Sequence, residues 1–403
     1  MTWKSDINKV YQRFLQSGVF IFIDRLDQAL LRYSKEIWIS FQVGLIEASW
    51  DLMRLNHHIK IFCSIRQEAF NNYESPNKQS ILGSVSFLRY TKEELGQLLE
   101  RLSIYYESSS FSNFIGFNDF QHPLTKNIET VSDYLLRHTI YRPRDIVTIA
   151  NSLHPLKNQI TVDILRNEVN TISSQEIAKN LFIENGLFLD GLQQIILREK
   201  FLSMIPRNII THNEMLNICK LFNNQTDCSE KKCLDCSLCH GFSELYNLGL
   251  LGFIDKNDIH TNNTLKQKFK KPHDVYGIIK GAIPVKMKAY LIHPSLNNYL
   301  KHLRNKYHGE QFHIIPAITV GNDCTWTKKY SLSFDLYLLM EFVKNTDIKN
   351  ELVDFMHSLS DRNKQKNNLL LNNIKKRIDK LENTVENGEK IYETCSKLLE
   401  LNN

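Results

Sequence analysis

Two short apolar runs, VFIFID (Val19 to Asp24) and IKIFCSIR (Ile59 to Arg66), flank a helical stretch, IWISFQVGLIEASWDLMRL (Ile37 to Leu55). A continuous apolar run that ends in a charge predicts a strand buried on both faces. The segment LRYTKEELGQLLERL then predicts a helix, with Thr91 as N-cap and Glu94 three residues on, the capping-box spacing. Strand, helix, strand, helix in that order predicts a parallel α/β arrangement over residues 1–105.

Composition limits what such a chain is. Its 403 residues suffice for two or three domains, and 42% hydrophobic with 23% charged residues is an ordinary globular balance. No apolar run approaches the roughly 20 residues needed to cross a bilayer. The opening MTWKSDINKV lacks the apolar core of a signal peptide, so the expectation is a cytoplasmic protein with no membrane partner. A net charge of +6 does not single out a nucleic-acid binder. Two local clusters do more: KQKFKK at Lys266 to Lys271, and Lys280 with Lys286 and Lys288. Solvated surface is the preferred reading of both, with DNA contact the minority alternative.

Further along, ETVSDYLLRHT and PRDIVTIANSL carry helical periodicity, and Pro143 suits a first helical turn; residues 106–205 read as a helical region. Residues 206–300 read as a winged-helix-like unit: the amphipathic ITHNEMLNICKLF, then FSELYNLGLLGFI running from helix to strand through two glycines, then AYLIHPSL as a returning strand. Residues 301–403 read as an α region ending in a coiled coil. Its seam is Leu371, Ile374, Ile378, Leu381, Val385, Gly388, Tyr392, Cys395 and Leu399, alternating three and four. A helix packed on its own chain explains that spacing equally well.

Several residues suit chemistry. An Asp at the carboxyl end of a parallel strand suits Mg²⁺ beside a triphosphate, so Asp24 is a candidate ligand and Asp27 a candidate for orienting water. The alternative is that Asp24 merely ends a strand and caps the helix after it. Arg66 ends the second run, where a guanidinium suits a γ-phosphate; the alternative is an ion pair with Glu68 or Asp24. Arg142 and Arg144 flank Pro143 at a helix start, where an anion would meet both arginines and free amides. Their alternative is pairing with Asp145 and Asp133.

VFIFIDRLDQAL, IKIFCSIRQEAF, LRYTKEELGQLL and RHTIYRPRDIV, in that order, resemble bacterial STAND-like P-loop ATPases of the AAA+ kind over residues 15 to 155. The resemblance implies that the first motif stands for Walker B, that Arg66 is a sensor, and that Arg142 and Arg144 lie in a nucleotide-contacting lid. One departure is large. Eighteen residues precede Val19, and no G-x-x-x-x-G-K-[ST] loop occurs anywhere in the chain. Without that loop little cradles the β- and γ-phosphates, so ATP with Mg²⁺ is expected only where an upstream ATPase half supplies it.

Four of the eight cysteines, Cys228, Cys233, Cys236 and Cys239, form a C-x4-C-x2-C-x2-C-H run closed by His240. Thiolates so close in sequence suit tetrahedral zinc, with an iron–sulfur cluster as competitor. The isolated His57, His58, His154, His293 and His313 read as core, cap or surface residues.

The sequence thus predicts a mostly α chain: a P-loop NTPase core remnant, a helical lid, a winged-helix-like module and a coiled-coil tail. The leading expectation is a nucleotide-dependent regulator or switch, of the kind found in bacterial defence, that does not hydrolyse ATP alone. It would be completed by an upstream ATPase half or would self-associate through the coil. The alternative is a winged-helix DNA-binding or protein-interaction module without ATPase activity.

Overall fold

The computed structural model of the chain describes residues 18–24, 26, 35–65, 69–70, 73–121, 128–183, 191–223, 241–255, 266–271, 283, 287, 289–314, 324–325, 328–341, 343, 346–358, 364–380 and 388–402. The chain is mostly helical and divides into two compact units. Unit 1 comprises residues 1–89 with 185–195 and 273–280, and unit 2 holds the rest.

In unit 1, β1 (Val19–Ile23) pairs in parallel with β2 (Ile59–Cys63), and helix α1 (Lys35–Leu55) makes the crossover. The register Ile23↔Cys63 brings the carboxyl ends of both strands side by side, as the alternation of strand and helix predicts. Burial departs from expectation. Phe20 is 61% exposed, Phe22 75% and Phe62 52%, and the three rings stack along one face. A run apolar at every position is able to lie between two layers, but α1 packs on β2 and the phenylalanine face stays bare. The core of the unit lies elsewhere. Ile46 of α1, Phe70, Tyr73 and Ile81 of the short α2 (Lys78–Leu82) cluster there, and the Tyr73 hydroxyl donates to Glu47 at 2.6 Å.

Unit 2 opens on α3 (Lys92–Glu107), whose start is the expected capping box. The Glu94 amide donates to Thr91 Oγ1 at 3.1 Å, and the Thr91 amide donates back to the Glu94 carboxylate at 2.8 Å. Then come α4 (Phe111–Ile115), an antiparallel pair β3 (Asp119–Gln121) and β4 (Ile128–Thr130), α5 (Val131–Arg137), α6 (Pro143–Leu153) and α7 (Val162–Ile172). A π-helical stretch, Ser173–Lys179, continues α7. Pro143 takes the first turn of α6, where its missing N–H leaves no helical bond unmade.

A second set of elements builds the largest sheet. These are α8 (Gly191–Ser203), β5 (Ile209–Ile210), α9 (His212–Asn223), α10 (Gly241–Asn247), β6 (Leu251–Asp255), β7 (Lys266–Phe269), β8 (Tyr290–Ile292), α11 (Asn297–His308) and β9 (Cys324–Thr325). The five strands run in the order β5-β8-β6-β7-β9, with every neighbour antiparallel. The strand read from YLIHPSL is β8, and it returns beside β6. All three residues of β8 are buried, so this strand is covered on both faces.

Helices α12 (Lys328–Glu341), α13 (Thr346–Ser358), α14 (Lys364–Lys380) and α15 (Gly388–Asn402) share one core with Ile209, Ile254, Phe269 and Leu291 of the sheet. The expected coil seam lies here, on two helices. Leu371 and Ile374 of α14 and Cys395 and Leu399 of α15 are buried in that core, joined by Ile391 and Leu398. Helix α15 packs against α12 and α14 of its own chain, the packed alternative of the sequence reading. Leu381 and Val385 lie outside the described residues. Burial pushes the Cys395 thiol up to about 12, so it packs as a small apolar group. Among the described residues no helix is long and apolar enough to cross a membrane.

Candidate functional site

At the carboxyl ends of β1 and β2, Asp24 is exposed, and its carboxylate accepts a hydrogen bond from the Ser64 hydroxyl. That pairing across adjacent strand ends is what the parallel register dictates. Asp27 and Arg66 lie outside the described residues, as do Cys228, Cys233, Cys236 and Cys239. The cofactors expected from the sequence, Mg²⁺ with ATP and zinc or an iron–sulfur cluster, are corrected here. Mg²⁺ and zinc need several converging ligands, and among the described residues no three His, Cys, Asp or Glu side chains come together to hold an ion.

Arg142 and Arg144 fall where the sequence placed them, at the start of α6. Arg142 is committed within the chain. Its guanidinium forks onto Asp145, with Nη2 at 2.7 Å and Nε at 3.1 Å from Oδ1. Asp145 is buried and also accepts from the Ile140 amide at 3.2 Å. One carboxylate thus ties the first turn of α6 to the loop before it. The loop bends at Tyr141, whose φ of 60° is left-handed, a costly state for a non-glycine residue. Asp133, the other expected partner, pairs with Lys92 at 2.6 Å. Arg144 is exposed and makes no ion pair among the described residues.

This loop forms one wall of a narrow cleft in unit 2. Ile140 and Tyr141 face Gly249, Phe269, Lys270, Lys271 and His293. Each residue arrives for a local reason. Phe269 alternates inward on β7 with Gln267, both buried, while Lys268 lies on the opposite face of the strand. Gly249 ends α10: its amide donates to the Tyr246 carbonyl at 3.0 Å, and the Leu250 amide to the Leu245 carbonyl at 2.8 Å. These are the two bonds of a Schellman cap, which requires the left-handed φ of 76° found there. Lys270 then crosses back over α10, its ammonium donating to Asn247 Oδ1 at 2.7 Å and lying 5.5 Å from the Tyr246 ring centre. The Lys271 ammonium lies 5.4 Å from the ring centre of Tyr141.

His293 closes the back. It caps the 3₁₀ turn Pro294–Leu296: the Ser295 amide donates to Nδ1 at 3.2 Å, and the Ser295 hydroxyl lies 2.7 Å from the same nitrogen. Since Nδ1 accepts, the neutral ring carries its proton on Nε2. That N–H is fully buried, with the Thr139 backbone as its polar neighbour. The Phe269 ring stands edge-on 5.3 Å away. Burial pushes the His293 pKa down to about 3, against the pull of the Thr139 backbone and with a further push from Arg137. His138 is also fully buried and held well below the usual histidine range, by burial first and then by Arg137; its Nδ1 lies 2.8 Å from the Tyr134 carbonyl oxygen.

The arrangement places Lys270 and Lys271 at the rim of the cleft, with the exposed Arg144 on the adjoining helix turn. Sequence reasoning found the lysine run but not its meeting with Tyr141 and His293, and its reading of His293 as a core or cap residue matches the buried cap found here. Comparison of the chain with protein-family models, with curated proteins and with solved structures gives no match.

Proposed function

We propose that the chain is a DNA-binding module of winged-helix type, docking on the phosphate backbone through unit 2. The observation that carries this reading is the convergence of Lys270, Lys271, Tyr141 and His293 around one cleft, with the exposed Arg144 at the adjoining helix start. The order of elements supports it. Helix α8, strand β5, helices α9 and α10 and the antiparallel pair β6–β7 succeed one another as helices and wing strands do in a winged helix. Lys268, Lys270 and Lys271 then lie on and just beyond the second wing strand, where such modules meet phosphates.

Phosphate contact has a thermodynamic signature, because each neutralised phosphate releases condensed counterions. With Lys270, Lys271 and Arg144 as contacts, the logarithm of the affinity for duplex DNA should fall against the logarithm of salt with a slope of about −2 to −3. Fluorescence anisotropy of a labelled duplex between low and physiological salt reads that slope. No binding at low salt, or binding indifferent to salt, would sink the proposal.

A second reading, a protein-interaction module, rests on the bare face of Phe20, Phe22 and Phe62 in unit 1. Contiguous exposed apolar side chains are typical of surfaces that meet another protein. Replacing Phe22 with Ser should raise the solubility of the chain and leave DNA affinity unchanged; a drop in DNA affinity would tie that face to the nucleic acid instead.

A further inference from the structure

We propose that the outward face of α1 in unit 1 is an interface with a second copy of the chain, the two α1 helices packing antiparallel across a two-fold axis. The inference is independent of DNA binding, and it uses a different surface from the bare phenylalanine face of the sheet.

Helix α1 has two apolar faces. Ile46 lies in the core of the unit, with Val43 and Trp50 packed beside it. At about 100° per residue, the side opposite Ile46 carries Ile37, Phe41, Gly44, Ala48, Leu52 and Leu55. All six are exposed, Leu55 by 79%. A helix apolar on both sides is ordinarily buried on both.

The order of the side chains says what covers the second face. Ile37 and Leu55 lie equally far from Ile46 on either side, and so do Gly44 and Ala48. A copy turned end for end therefore sets small residues against small ones and large against large, the self-match that an isologous interface requires. On one rim Phe41 falls beside Leu52 of the other copy. On the other rim Ser40 falls beside Asp51 of the other copy, a hydroxyl beside a carboxylate. The small pair at the middle lets the two backbones approach closely. Gly44 supports this reading, because a glycine inside a helix costs stability relative to alanine. Its own unit does not need it: among the described residues nothing outside the helix lies within 4 Å of where a Cβ would stand. The four large side chains leave roughly 400 Å² of apolar surface on each copy, half of what each partner buries in a standard interface. That area fits a weak dimer, with a dissociation constant on the order of 10 μM.

The test is sedimentation velocity of the full chain between about 1 and 200 μM, where monomer and dimer should exchange. Gly44→Lys should weaken the dimer at least about tenfold yet melt no lower than the unaltered protein, since lysine is the better helix former and meets open space. Gly96→Lys, the same change at an equally open glycine inside α3, should leave the dimer as it was. If Gly44→Lys melts early, Ile37→Lys and Leu55→Glu replace it: each alone should be monomeric, and the two mixed should dimerise. An unaltered protein that stays monomeric throughout overturns the interface. A dimer that survives Gly44→Lys in a folded chain, or a mixture that stays monomeric, overturns it as well.

Discussion

Gly249→Ala should destabilise unit 2 by about 2–4 kcal/mol, of which roughly 1–2 kcal/mol is the cost of a left-handed backbone for a residue with a Cβ. The rest is steric. A Cβ at this position would stand 2.3 Å from the Lys270 carbonyl oxygen, a backbone atom that cannot rotate aside. Gly309 supplies the control. Its φ of 66° is equally left-handed, yet nothing lies within 4 Å of where its Cβ would be. Gly309→Ala should therefore lose only the conformational part, about 1 kcal/mol. Chemical denaturation followed by tryptophan fluorescence gives both numbers. Equal losses would show that the close approach of α10 to the β7 end does not constrain the fold. The larger loss should come with weaker DNA binding, because relief of the clash displaces Lys270.

The second large effect is one of pH. His138 and His293 are neutral and buried in the folded chain, with pKa values depressed below the ordinary 6.5, that of His293 to about 3. As pH falls through 6.5 the unfolded chain takes up protons that the folded chain does not, so stability falls with pH. It is fully present above 6.5 and declines by roughly 1.4 kcal/mol per pH unit for each ring once well below that value. Glu107 and Glu199 have carboxyls held below the ordinary 4.5, so their contribution is lost at lower pH than this window. Glu129 works the other way, since burial holds its carboxyl above the ordinary 4.5, so the histidine share between pH 6.5 and 5 is read from the difference between the unaltered protein and a histidine variant. In His293→Asn the slope should drop by about 1.4 kcal/mol per pH unit at the low end of the window. An unchanged slope would mean that the ring is protonated in place.

Some of this was legible in the sequence and some was not, for physical reasons. Local signals were reliable: the Thr91–Glu94 box, Pro143 at the first turn of α6 and the glycine exit from α10 all depend on a few consecutive residues. The pairing of β1 with β2 was readable too, because a strand–helix–strand order leaves few alternatives. Burial was not. Phe20 and Phe22 lie in a run apolar enough for a central strand, but coverage depends on which layers meet it. The tail shows the same limit from the other side. Its spacing of three and four fits a coil and a packed helix alike, and the choice was made by α12, far away in sequence. The cleft was the least visible feature. Tyr141, Gly249, Lys271 and His293 come from four separate segments; the antiparallel order of β6, β7 and β8 brings the last three together, and Tyr141 joins them from the loop before α6.

The most direct test of DNA binding at this cleft reverses its charge. Lys270→Glu combined with Lys271→Glu should weaken binding of a duplex by about 100-fold at low salt and flatten the salt slope by about 2. Lys376→Glu, an exposed lysine on α14, should change neither by more than about twofold. Equal affinity of the double variant and the unaltered protein, or an equal loss in Lys376→Glu, would contradict the assignment of the cleft as the DNA contact.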